Sequence, residues 1–187
     1  FNFGGKRLER KDFPEMPHAA YGIDICHLNF TEPLWGENMY DLERIPAELE
    51  LLRPLAKSFF DGAAKFREIA AKRKGDRGKK AMHMAVFAEY LARTVQTAIN
   101  LKRGAVAWEA KDQAALKAIA VEERANAYAT LPLVDADSRL GFECSMEYTG
   151  GRKQIEWKID LMTKLYNLEP LPSSDVKAET PDVPGLT

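Results

Sequence analysis

The chain reads as an all-α protein, an antiparallel bundle of about four main helices with an irregular N-terminal arm and an extended C-terminal tail. Three observations predict this. Apolar residues recur at helical spacing through four segments between about residues 48 and 168, breaker-rich connections separate those segments, and no stretch alternates strand with helix. Short connections between amphipathic helices place neighbours side by side and antiparallel.

Residues 1–47 mix Gly, Pro, His and aromatics without a sustained period and form the arm. Phe13, Ile25, Leu28, Phe30, Trp35 and Tyr40 make it too apolar for a free tail, so it is expected to pack on the bundle or on a partner. Tyr21, Ile23 and Ile25 alternate and suggest a short strand. A first helix is predicted from Pro54, whose missing N–H costs nothing in a first turn, to about Lys74, with Leu55, Phe59, Ala63, Phe66 and Ile69 as its stripe. Gly75-Asp76-Arg77-Gly78 breaks it. A second helix runs from about Lys79 to Glu109, on the order of 45 Å, with Gly104 as a point where it would kink or end. Asp112 is the N-cap of a third helix to about Thr130, with Leu116, Ile119, Glu123 and Ala127 on one side. A loop from Asp135 to Gly151 precedes a fourth helix carrying Ile155, Ile159, Met162 and Tyr166. Residues 169–187 form a Pro-rich tail.

Bulk properties narrow the function classes. A net charge of -1 over 187 residues draws the molecule neither to nucleic acid nor to an anionic membrane. No apolar run reaches the roughly 18 residues of a span, so a soluble protein is expected. The basic run Lys72-Arg73-Lys74 with Arg77, Lys79 and Lys80 suits a solvated helix end and turn better than a phosphate site. Cys26 and Cys144 match no metal spacing and read as two buried free thiols. The start at Phe1 suggests that a signal peptide, a tag or a larger polypeptide precedes it.

Candidate chemistry concentrates between Glu122 and Trp157. Glu123 falls where the third helix would bury a side chain, with Asn126 three residues on, and a buried carboxylate needs a partner. Arg139 on the following loop is the natural one, because a guanidinium grips a carboxylate through two parallel hydrogen bonds. Glu123, Asn126 and Arg139 are therefore assigned to a structural polar tie, with substrate contact as the second role. Asp135, Asp137, Glu143 and Glu147 could supply a general acid and base or ligands for a hard cation. The calcium-loop pattern fails at its third ligand, and no metal or cofactor is expected. Trp35, Trp108, Phe142, Tyr148 and Trp157 are candidates for stacking on sugar rings, although Trp157 suits the core. His18, His27 and His83 lack metal-ligand spacing, and Ser138 and Ser145 have no histidine base nearby in sequence.

Taken together, Glu123-x-x-Asn126-Ala127, Leu131-Pro132-Leu133-Val134-x-x-Asp137-Ser138-Arg139-Leu140-Gly141-Phe142-Glu143, Met146-Glu147-Tyr148 and Trp157-Lys158 resemble the C-terminal helical region of large microbial glycoside hydrolases. These are enzymes with a catalytic barrel of the alpha-glucuronidase or beta-hexosaminidase kind, and related uncharacterised carbohydrate-active proteins. The likeness covers about residues 50–168. It implies that the acid and base lie on a barrel in another chain or an upstream domain, that Asp137, Arg139, Glu143 and Tyr148 contact a glycan at the rim of its cleft, and that the helices brace the barrel or form a homo-oligomer interface. A secreted or periplasmic bacterial setting goes with that reading. The reading from a different class is a stand-alone helical structural or interaction protein.

Overall fold

The computed structural model describes residues 42–137, 139–140, 142–143, 148–149 and 151–169, with backbone alone at 142–143 and 148–149. Four helices account for nearly all of it: α1 Ile45–Lys72, α2 Asp76–Glu109, α3 Gln113–Ala136 and α4 Arg152–Leu165. Two short strands, β1 Phe142–Glu143 and β2 Tyr148–Thr149, pair antiparallel between α3 and α4. Each helix packs on the next in the chain. The pairing is antiparallel throughout, since Glu48 meets Lys102 while Arg67 meets Glu89, Arg93 meets Asn126 while Arg103 meets Glu122, and Arg124 meets Thr163 while Asp135 meets Arg152. The all-α bundle expected from the sequence is the observed fold. No helix among the described residues is long and apolar enough to cross a membrane.

Three helix boundaries differ from expectation: α2 starts at Asp76 rather than about Lys79, and at the other two a proline lies within the helix. The first helix starts at Ile45, so residues 45–47, assigned to the arm, belong to the bundle. Pro46 occupies its first turn, and Pro54 lies inside the helix. Pro54 faces solvent, where water can satisfy the carbonyl one turn back that a proline leaves without its N–H. Likewise α3 continues through Pro132 to Ala136, because Leu131, Leu133 and Val134 are all buried and hold the last turn against the core.

The breaker between α1 and α2 works through two glycines. Gly75 adopts φ 66° and ψ −149°, a region open to glycine and strained for other residues. A Cβ on Gly78 would lie 2.2 Å from the Arg73 carbonyl oxygen, so only glycine lets the chain turn this tightly. The basic run is exposed around this turn, with Lys72, Arg73 and Lys74 at the C-terminal end of α1 and Arg77, Lys79 and Lys80 in the first turns of α2. Gly104 neither kinks nor ends α2, and is buried within it. The Asp112 cap is as read from the sequence: its carboxylate accepts from the Ala115 backbone N–H at 2.9 Å.

Packing divides into three apolar clusters. Val86 and Tyr90 of α2, Leu131 and Val134 of α3, Leu140 and Ile155 fill one end. Ala107, Leu116, Ile119 and Met162 fill the α2–α3–α4 side of the other, where Ile45, Leu49 and Ile99 join α1 to α2. The stripe predicted for the first helix is rotated from the buried one. Ala56 and Ala63 are buried with Ala81, Ala85, Ala88 and Ala92 of α2, whereas Leu55 and Ile69 remain exposed. Small side chains bring the two backbones close, and the larger apolar residues are left on a flank.

The arm to residue 41, the Tyr21–Ile25 strand, Trp35, His18, His27, Cys26, Cys144, Ser138, Ser145, Glu147 and the tail from Pro170 lie outside the described residues.

Candidate functional site

Two separate polar constellations lie along α3, one at its middle and one at its C-terminal end. The first is enclosed by α2, α3 and α4. Glu123 is fully buried, and its carboxylate accepts from Thr97 Oγ1 at 2.6 Å and Asn100 Nδ2 at 2.7 Å. Its cation is Lys158 of α4, also fully buried. Asn126 extends the network, donating to Thr97 Oγ1 at 3.1 Å and to the Arg93 carbonyl at 2.9 Å. Gln96 donates to Asn100 Oδ1 at 2.9 Å. Each carboxylate oxygen of Glu123 thus has a donor, which is the condition for keeping an ion pair away from water.

The pairing of Glu123 with Arg139 expected from the sequence does not form. Arg139 instead grips Asp137, two residues away, through Nε at 2.8 Å and Nη2 at 2.8 Å, with its own backbone N–H at 3.1 Å from the same carboxylate. The helix extends six residues beyond the predicted end at Thr130, which carries Arg139 past the end of the core, and Lys158 from α4 takes its place. Glu123 and Asn126 are members of the polar tie; Arg139 is not.

The second constellation is this Asp137–Arg139 pair at the end of the bundle. Asp137 is buried while the Arg139 side chain is 65 % exposed. His83 of α2 stands 3.3 Å from Arg139 Nη2 and 3.7 Å from Asp137 Oδ2. The hydrogen bond from Arg139 holds the Asp137 carboxyl below its ordinary range against the opposing effect of burial, and Asp137 in turn raises the Arg139 guanidinium. A general acid needs the opposite shift. Asp135 pairs with Arg152, which also reaches Glu156 at 2.9 Å, so the two described aspartates of the predicted acidic cluster each serve to fix an arginine. Glu143 and Tyr148 are brought together as direct cross-strand partners of β1 and β2.

Elsewhere, Arg53, Lys57, Phe60, Gln96, Ile99 and Arg103 line an open cleft of about 450 Å³ between α1 and α2. Its cations are already matched: Arg53 by Glu50, Lys57 by Asp61 and Arg103 by Glu122. Among the described residues no group of three or more His, Cys, Asp or Glu side chains is placed to hold a metal ion. Trp108 packs half-buried on the Leu116–Met162 cluster.

Lys158, Thr97, Asn100 and His83 were not legible as partners, although one signal was present. Lys158 stands at i+3 from Ile155 and four residues before Met162, inside the buried stripe of α4, where a lysine requires an anion opposite.

Neither a family model, nor a curated protein, nor a solved structure matches the chain. The glycoside-hydrolase resemblance therefore rests on the residues quoted for it.

Proposed function

We propose that this chain is a helical accessory domain or subunit of a carbohydrate-active enzyme, a glycoside hydrolase, which braces a catalytic barrel and presents its 137–148 loop to the rim of a sugar cleft. The observation that carries this reading is the Asp137–Arg139 pair. A buried carboxylate holds the guanidinium through Nε and Nη2 while the side chain as a whole stays 65 % exposed, a pre-organised donor for sugar hydroxyls or a uronate. Glu143 and Tyr148, cross-strand partners in β1 and β2, follow on the same connection between α3 and α4. The reading makes this surface a contact and leaves the acid–base chemistry to the barrel partner.

Titration with uronic-acid and N-acetylhexosamine oligosaccharides, followed by backbone amide shifts, tests it. Binding in the millimolar range, confined to residues 137–148 and lost in Arg139→Ala with unchanged helical content, is expected. Absence of any glycan response at those concentrations would overturn the rim contact. It would favour the second reading, a stand-alone helical structural or interaction protein, which is supported by the closure of the Glu123 and Lys158 network within this one chain.

A further inference from the structure

Arg139 Nη2 is shared between two neighbours. It donates to Asp137 Oδ2 at 2.8 Å and lies 3.3 Å from His83 Nε2 of α2. A guanidinium nitrogen only donates, so the ring nitrogen that faces it must offer a lone pair. This arrangement therefore holds His83 as the neutral imidazole with its proton on Nδ1. The same Nε2 stands 3.7 Å from Asp137 Oδ2, the oxygen that Nη2 already occupies.

Protonation reverses one side of this triangle. Nε2 becomes an N–H donor, and two donors of like charge then meet where a donor and an acceptor had met. Among the described residues the nearest acceptor for it is Asp137 Oδ2, a small ring movement away. Arg139 does not come loose, because its Nε and its backbone N–H both bond the other oxygen, Oδ1, at 2.8 and 3.1 Å. Only Nη2 is displaced. The His83 side chain is 35 % exposed, which leaves it open to exchange protons with solvent. The described charged groups that face it are Asp137 from the end of α3 and Arg139 from the following turn, with Lys79 and Lys80 one turn earlier on α2 itself.

We infer that His83 is a proton-operated switch on this site: neutral, it joins Asp137 in holding Arg139 Nη2 inward; protonated, it takes Asp137 Oδ2 and turns Nη2 outward to a carboxylate-bearing sugar. The charge count gives the same direction. Asp137, Arg139 and a neutral His83 carry no net charge, and the protonated set carries one positive charge, so the proton and an anionic ligand favour each other's binding. A neutral sugar gains nothing from that charge. The choice of a sugar acid rests on the glycan reading above, whereas the switch rests on the three side chains alone.

Side-chain NMR of the full chain between about pH 8 and 5, the range in which histidines ordinarily change charge, tests it. The Arg139 Nη resonances are expected to move along the same curve as the His83 ring, and to stop moving in His83→Gln. Glucuronate binding should tighten about fivefold between pH 7.5 and 5.5, with glucose binding unchanged. Arg139 resonances that stay fixed while the His83 ring titrates would overturn the inference, as would a ring that does not titrate in this range or glucuronate binding of equal strength at both pH values. If neither sugar binds at either pH while Arg139 still follows His83, the switch is upheld and the glycan reading falls.

Discussion

Lys158 and Glu123 form an ion pair across α4 and α3 in which neither side chain has any exposed surface. Removing a charge from water is costly, and the interior returns that cost only where geometry and extra hydrogen bonds are good. Thr97 and Asn100 supply those bonds at 2.6 and 2.7 Å. The bundle's three later helices are therefore tied at one point by groups that depend on one another. Lys158→Met leaves Glu123 buried without its cation and should destabilise the fold by about 3–5 kcal/mol. Urea unfolding of the variant against the parent chain measures it.

The acid limb of stability should follow three carboxylates. Arg139 lowers Asp137; a hydrogen bond from Lys102 lowers Glu48; and at Glu89 burial raises the carboxyl but Arg93 and Arg67 more than reverse it. A folded-state value below the unfolded one adds stability that is present above the unfolded range, about pH 4, and lost as pH falls through the lower folded values. Unfolding free energy should therefore be flat above about pH 5 and decline below pH 4. Asp137→Asn should shallow that decline, as urea melts across the acid range would register.

Pro54 is an interior helix proline with an exposed side. Replacing it by alanine restores one backbone hydrogen bond and removes the ring from the preceding turn. Pro54→Ala should raise stability by roughly 1–3 kcal/mol. A lowered melting temperature would show instead that the proline ring makes a stabilising contact of its own.

Asp112 caps α3 through the Ala115 N–H. Asp112→Ala should cost about 1 kcal/mol, and Asp112→Asn much less, because the amide oxygen accepts the same bond. Thermal unfolding of the two variants side by side distinguishes cap chemistry from simple loss of charge.

The helices and the Asp112 cap were legible because they depend on local spacing and on one residue type at one position. Proline positions were misread at Pro54 and Pro132 because burial around Leu49, Ala56 and Leu133 outweighs local propensity. The burial of Glu123 was legible from its place on the stripe, but its partner was not. A sequence shows that a buried carboxylate needs a cation; which of Arg139 and Lys158 reaches it depends on how far α3 runs and how α4 docks. Asp137 and Arg139 were singled out together on a loop, yet their mutual grip, two residues apart, is a local geometry that spacing alone does not specify.

The most direct test of this arrangement is a pair of double-mutant cycles in urea unfolding, one on Glu123 with Lys158 and one on Glu123 with Arg139. The account predicts a coupling of about 2–3 kcal/mol for Glu123→Leu with Lys158→Met, and coupling within about 0.5 kcal/mol of zero for Glu123→Leu with Arg139→Ala. Strong coupling to Arg139 and none to Lys158 would contradict it.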